Sequence, residues 1–220
     1  MADLTITLAG EEVAMVPERA LYWPRTGTLF VADLHWGKAA TLRSAAIALP
    51  GGTTTDDLAR LSAVIERTGA GRVAVLGDLL HARAGRAPQT LAAITAWRAR
   101  HPELELLLVR GNHDRHAGDP AADLGFECVD APFGLGPFEL RHVPATTGNG
   151  YVLAGHLHPG VVLNGPARQR IQLPCFWFGY GGGVLPAFGR VTGSARITPL
   201  AGDRVFAVVE GDVIAVSGLR

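Results

Sequence analysis

Lysine is almost missing from this chain. Of 20 basic residues in 220, Lys38 is the only lysine, which leaves 20 − 1 = 19 arginines. With Ala and Gly also abundant, this reads as compositional bias and not as selection for phosphate recognition. An excess of charge of one sign is missing too, because 20 acidic residues balance the 20 basic ones. Proteins that grip nucleic acid by broad phosphate neutralisation carry a positive excess. A nucleic-acid role here would have to rest on a local basic rim or on bound metal. Cysteine is scarce: Cys128 and Cys175 lie far apart with no C-x-x-C pattern. That argues against a disulfide framework or a thiolate metal site and for free buried thiols in a reducing compartment. No apolar run approaches a membrane span. The start, Met1-Ala2-Asp3-Leu4, has an early acid and no long apolar stretch behind it, unlike a signal peptide. A cytoplasmic location without membrane association is the expectation. Linkers, low-complexity tracts and repeats are also lacking. A content of 48% hydrophobic and 18% charged residues argues against disorder. A single domain over residues 1–220 is expected.

The pattern along the chain points to an α/β fold. Leu4–Leu8 and Glu12–Val16, split by Ala9-Gly10-Glu11, predict a hairpin. Thr28–Ala32, Arg72–Leu76 and Leu104–Val109 are apolar runs without alternation, as in a parallel sheet covered on both faces. Helices are predicted over Gly37–Ile47, from Thr54-Thr55-Asp56-Asp57 to a stop at Gly69-Ala70-Gly71, and over Pro88–Arg100. Leu49-Pro50-Gly51-Gly52 is a breaker between the first two. After Asp119 the texture changes to short strand candidates: Phe126–Val129, Phe138–His142, Tyr151–Ala154, Ile171–Trp177, Val205–Val209 and Val213–Val216. This half is expected to form a second, mostly antiparallel sheet packed on the first. Gly179–Gly183 lacks a following Lys-Ser/Thr and reads as a mobile turn, not a phosphate loop.

Five clusters of oxygen and nitrogen donors close successive apolar runs. They are Asp33-Leu34-His35, Gly77-Asp78-Leu79-Leu80-His81, Gly111-Asn112-His113-Asp114, His142 and Gly155-His156-Leu157-His158. Carboxyl ends of strands are where an open α/β sheet gathers its ligand site. Two dications about 4 Å apart suit such donors, and one carboxylate bridging both fixes their spacing. Asp78 is the candidate bridge, because it follows the central strand and Gly77 lets the backbone approach. Asp33 and His35, like His156 and His158, are two apart and share a face. Asn112 offers a neutral carbonyl oxygen.

In combination these elements closely resemble the calcineurin-like metallophosphoesterase superfamily, whose pattern is D-x-H, GD, GNH(D/E), H and GHxH. The resemblance implies a four-layer αββα sandwich with mixed sheets, parallel βαβ units in the first half and a mostly antiparallel second half. It implies one metal on Asp33, His35, Asp78 and His158, and a second on Asp78, Asn112, His142 and His156. His113 would protonate the leaving group and Asp114 would orient its ring, which suits a non-ligating imidazole beside a dimetal site. His142 stands alone and is also readable as a surface histidine. His81 is readable as a partner of the ligands or as structural. His101 and His116 read as loop or helix-end residues, with the rim of the site as the alternative for His116.

Longer strings narrow the branch. Asp33–Thr41 running into Leu49–Thr54, then Gly77–Arg86, Gly111–Ala117 and Leu173–Gly179, resemble the bacterial ligase-associated DNA-damage-response metallophosphoesterases, described as endonucleases. That resemblance implies cleavage of DNA phosphodiesters by a metal-bridging hydroxide. It implies two divalent ions, Mn²⁺ first, with Fe, Zn, Ni or Co as other occupants. It also implies functional association with a DNA ligase, a helicase and a second nuclease. Trp36, Lys38, Arg43, Arg83, Arg86 and Arg115 lie close to ligand motifs in sequence. They are candidates to grip phosphates or stack on a base, with a solvated turn or core packing as the alternative. Phe176-Trp177-Phe178 reads as core or partner surface. Two other functions stay open: a phosphatase or phosphodiesterase for small nucleotides, favoured by the neutral charge, and a non-catalytic scaffold, disfavoured by the complete donor set.

Overall fold

The computed structural model describes residues 3–49, 51–146, 148–164 and 169–217; Met1, Ala2 and Pro50, which entered the readings of the start and the breaker, lie outside them. The first sheet contains, in spatial and chain order, β1 (Leu4–Leu8), β2 (Glu11–Val16), β3 (Ala20–Trp23), β4 (Thr28–Val31), β5 (Arg72–Val75), β6 (Glu105–Val109) and β7 (Phe126–Val129). Strands β1 to β4 form an antiparallel meander. From β4 to β7 the pairing is parallel. The crossovers carry α1 (Lys38–Ser44), α2 (Thr53–Thr68), α3 (Pro88–Arg100) and α4 (Asn112–Ala117).

The second sheet is built from β8 (Phe133–Leu135), β9 (Phe138–Leu140), β10 (Tyr151–Ala154), β11 (Pro159–Asn164), β12 (Arg170–Phe178), β13 (Gly182–Val184), β14 (Ala195–Arg196), β15 (Arg204–Val209) and β16 (Asp212–Val216). Its order is β14-β11-β12-β13-β10-β9-β8, and β15 and β16 continue from β12. The pairs β9–β10, β10–β13 and β11–β14 are parallel and the others antiparallel.

Both faces of the first sheet are apolar, which explains the unbroken hydrophobic runs. Val73 and Val75 of β5 point to α2 and α3, where they meet Leu58, Leu61, Val64, Ile94 and Trp97. Ala74 and Leu76 point the other way, into a core shared with Phe138, Leu140, Leu153, Phe176 and Phe178 of the second sheet. Burying each large side chain fully stabilises the sandwich by about 1.5–3 kcal/mol.

Several expectations need correction. Phe126–Val129 belongs to the first sheet, as its parallel edge strand β7. Ala20–Trp23, unrecognised in the sequence, completes the meander as β3. The first helix spans only Lys38–Ser44. The glycine cluster after Phe178 is not only a turn, because Gly182–Val184 forms β13 inside the second sheet. Glycine suits that strand, since a Cβ on Gly183 would collide with the Phe178 ring. The expected sandwich of two mixed sheets stands, and among the described residues every α-helix precedes Gly118.

Candidate metal centre

The ligand motifs continue the ladders beyond the strand ends. The Asp33 amide donates to Gly77 O (3.1 Å), His35 to Asp78 O (2.8 Å) and Trp36 to Leu79 O (2.8 Å). The loops after β4 and β5 are thus held backbone to backbone. The loop after β10 meets that after β9 through the Gly155 amide and His142 O (3.1 Å). These approaches need glycine: a Cβ on Gly77 would enter the His142 ring and one on Gly111 the Asp78 carboxylate, while one on Gly155 would lie 2.6 Å from Asp33 Oδ2.

Asp33 (φ 54°), His35 (47°), Asp78 (55°), His156 (70°) and His158 (47°) all adopt the left-handed backbone conformation. Asp and His tolerate it better than most residues, yet such positions cost about 1–3 kcal/mol each and cluster at functional sites.

The side chains converge in two groups. In one, Asp33 Oδ1 lies 3.4 Å from His158 Nε2, the Nε2 atoms of His35 and His158 are 3.4 Å apart, and His35 Nε2 is 3.7 Å from Asp78 Oδ2. In the other, His142 Nε2 lies 3.4 Å from Asp78 Oδ1, 2.9 Å from Asn112 Oδ1 and 3.0 Å from His156 Nδ1. Asp78 turns one oxygen to each group. The tautomer of His142 follows from its surroundings. Its Nδ1 faces the Leu76 carbonyl at 3.0 Å, which can only accept, so Nδ1–H donates and Nε2 presents a lone pair.

That lone pair points at two acceptor oxygens and a second imidazole, an arrangement stabilised by a cation at its centre. Asp33 Oδ1 is fully buried without a hydrogen-bond partner, so its lone pairs are free to face a cation. Donors about 2.1 Å from one ion stand roughly 3.0–3.4 Å apart in octahedral or tetrahedral geometry, close to the observed spacings except the longer 3.7 Å between His35 and Asp78. The donor set therefore fits divalent metal. Burial, reinforced by the Lys38 charge and neighbouring imidazoles, pulls His35 down to about 2, which keeps it neutral and able to ligate. Burial lowers His156 and raises Asp78.

His113 sits beside the first group, with Nε2 4.0 Å from Asp78 Oδ2 and its amide donating to Asp78 Oδ1 at 3.0 Å. Its Nδ1 donates to the His81 carbonyl at 2.6 Å. The expectation that Asp114 orients this ring is thereby corrected. Asp114 is buried, and its carboxylate accepts the amides of Asp78 (2.7 Å), Gly111 (2.9 Å) and Leu80 (3.1 Å). As the third residue of α4 it closes the helix start and ties it to the Asp78 turn.

His81 belongs to the constellation, its Nδ1 3.3 Å from His35 Nδ1 and its ring stacked on His113 at 4.7 Å. Burial lowers it to about 4. Trp36 does not line the cleft: it is 2% exposed and packs edge-on to Trp97 in the helix-side core. Arg86 donates to the carbonyls of Ala117 and Asp119, and Arg83 to His116 O, so both brace the end of α4. Arg115 is exposed and 3.5 Å from Asp130, and Lys38 is half-buried at the start of α1. His101 caps α3 and bonds Ser62 (2.7 Å), while His116 bonds Asn112 O (2.6 Å).

One supporting segment had no sequence signal. The amides of Phe188 and Gly189 donate to Ala32 O and Asp33 O, and the neighbouring Arg190 amide is held by Asp57 of α2. A strap from the second half thus props Asp33 from behind.

No protein-family model and no curated protein matches the chain. Among solved structures, the crystal structure of Pseudomonas putida nuclease MPE aligns over 98% of this chain and 100% of its own, with 42% identity and a TM-score of 0.87. A phosphoesterase from E. coli, Yfce, aligns over 88% of this chain and 99% of its own at 16% identity, with a TM-score of only 0.40. With the donor pattern, the two facing sheets and 42% identity along the whole of both chains, this protein belongs to the metallophosphoesterase family that includes the Pseudomonas putida nuclease.

Proposed function

We propose that the chain is a hydrolase of phosphodiester bonds that uses two divalent ions, Mn²⁺ foremost, to cut DNA as an endonuclease in the response to DNA damage. The observation that carries the reading is Asp78, whose two oxygens face separate groups of acceptor atoms. The likeness to a nuclease along the full chain supports the substrate class. Asp33, His35, Asp78 and His158 would hold one ion, and Asp78, Asn112, His142 and His156 the other. Bound ions of this kind supply Lewis-acid stabilisation and an acidified water as nucleophile.

The chain's own groups do the rest. Leu76 O fixes the His142 ring, and Asp114 fixes the turn that carries Asp78. His113 is held through Nδ1 by His81 O, so a proton on Nε2 faces the cleft and can pass to the leaving oxygen of the cleaved strand. The protein would act as one cytoplasmic domain, in functional association with a DNA ligase, a helicase and a second nuclease.

The deciding experiment is Mn²⁺-dependent cleavage of end-labelled single- and double-stranded DNA, with Asp78→Ala and His113→Ala as paired variants. Asp78→Ala should lose activity and metal together, and His113→Ala should keep metal but lose turnover. Intact DNA beside hydrolysis of cyclic or dinucleotides would replace the nuclease reading with a small-nucleotide phosphodiesterase.

A further inference from the structure

A chain that uses arginine at 19 of its 20 basic positions has its single lysine at the edge of the ligand cluster. Lys38 opens α1, and its amide donates to the carbonyl of the ligand His35 at 3.0 Å. Its position is fixed by close packing. The Gly37 amide donates to Thr54 Oγ1 (3.2 Å), and a Cβ on Gly37 would collide with the Gly85 backbone. The ammonium is close enough for its charge to act on Asp33 and Asp78, and on His35 and His81.

Its partners distinguish it from the neighbouring cations. Arg83 and Arg86 are engaged by carbonyls, Arg115 by Asp130 and Arg141 by Glu139. Among the described residues the Lys38 ammonium has no ion pair and no hydrogen bond, although two buried carboxylates lie nearby. Those carboxylates are turned towards the imidazoles.

Resting on the phosphodiesterase reading, we infer that Lys38 is a catalytic residue whose ammonium contacts a non-bridging oxygen of the phosphate being cleaved. Negative charge accumulates on those oxygens as the nucleophile adds, and a preplaced cation there favours the transition state over bound substrate. The side-chain type follows from the same geometry. A guanidinium is a planar fork suited to clasping a carboxylate through two bonds, so arginine at 38 would draw Asp33 or Asp78 away from the metals. A flexible ammonium carries the charge without that competition.

The single lysine makes the contact directly readable, because Lys38 and the N-terminal amine are the only amines to acylate. Mn²⁺-loaded protein would be treated with an amine-acetylating reagent, with and without inorganic phosphate at a concentration that calorimetry shows to be saturating. Site labelling would be followed by peptide mass spectrometry. Phosphate should slow acetylation of Lys38 at least tenfold and leave the N-terminal amine unaffected. Equal Lys38 labelling in both samples overturns the contact whether or not the protein cuts DNA. Protection in a protein that leaves DNA intact upholds the contact and removes only the nuclease reading. In parallel, Lys38→Met should bind both ions as tightly as wild type while kcat on a generic phosphodiester falls about 100-fold. Lys38→Arg should lose metal affinity as well. Wild-type kcat in Lys38→Met, with metals bound, overturns the inference.

Discussion

Replacing Asp114 with Asn separates a brace from a catalytic partner. The carboxylate accepts three backbone amides, from Asp78, Gly111 and Leu80, and is 1% exposed. An asparagine placed to best effect keeps its oxygen on Asp78 and Gly111 and turns its NH₂ towards Leu80. One buried N–H then faces a donor, at a cost of about 1–3 kcal/mol, and two charge-assisted bonds become neutral ones, each weaker by about 1 kcal/mol. Relief of the buried charge offsets part of this, since burial raises the Asp114 carboxyl against the pull of its three amides. The net loss is about 2–3 kcal/mol, which in a chain of this size lowers Tm by roughly 5–10 °C. The brace fixes the Asp78 turn to the start of α4, so metal affinity should fall about 10–100-fold, as when support behind a ligand is removed. Calorimetric melting of metal-free protein and metal titration test both figures, with pH–rate profiles alongside. A variant with wild-type Tm and metal affinity but a displaced acidic limb in its pH–rate profile would refute the reasoning and return Asp114 to the His113 ring.

Gly111→Ala tests the close approach itself. Gly111 has φ −90°, so backbone strain is not the issue, but the new Cβ would occupy the place of the Asp78 carboxylate. Bound metal should fall to near zero by elemental analysis and activity by about 10³-fold, for a stability loss of only about 1–3 kcal/mol; two retained ions would contradict the geometry. A second test concerns pH. Burial pushes the Asp57 carboxyl up to about 6, against the pull of Arg60 and Arg190. The native state then holds this proton between about pH 4 and 6, where the unfolded chain has released it. The stabilisation is complete below about pH 4 and is lost as pH rises to 6, a fall of about 3 kcal/mol. Urea midpoints across that range should show the slope in wild type and lack it in Asp57→Asn; identical slopes would assign it to other groups.

Which parts of the fold were legible depended on how each segment is buried. β4, β5 and β6 stood out because both their faces are covered, so no polar residue interrupts them. β3 is four residues between Arg19 and Pro24 and offers no period long enough to detect. β13 was hidden by its glycines, which are there because Phe178 fills the space of a side chain. The donor residues were legible for a different reason. Asp, Asn and His at strand ends are expensive to bury without a function, so their recurrence pointed to one place in space. Trp36, open in the sequence to a place at the cleft or in the core, takes the core one. The alternation that turns Asp33 and His35 to the cleft turns Leu34 and Trp36 to the core, where they are 1% and 2% exposed. Arg83 and Arg86, open in the sequence to a phosphate grip or a turn, both donate to carbonyls at the end of α4.

The backbone at the ligands was not legible, and it bears most directly on function. Five non-glycine donor residues share the left-handed conformation, and no residue type at those positions demands it. The conformation follows from the long-range ladder in which Asp33 and His35 donate to Gly77 O and Asp78 O, together with the amide of His156 donating to Asp33 Oδ2 at 2.9 Å. Each loop is bent by its neighbour, and the strain persists because the two sheets over-determine it. The bend aims lone pairs of separate loops at common points, where they repel one another until a cation intervenes. Folding energy from the apolar cores thus holds the donors in place before metal arrives. Little reorganisation would then remain when a divalent metal binds side chains drawn from five strand ends.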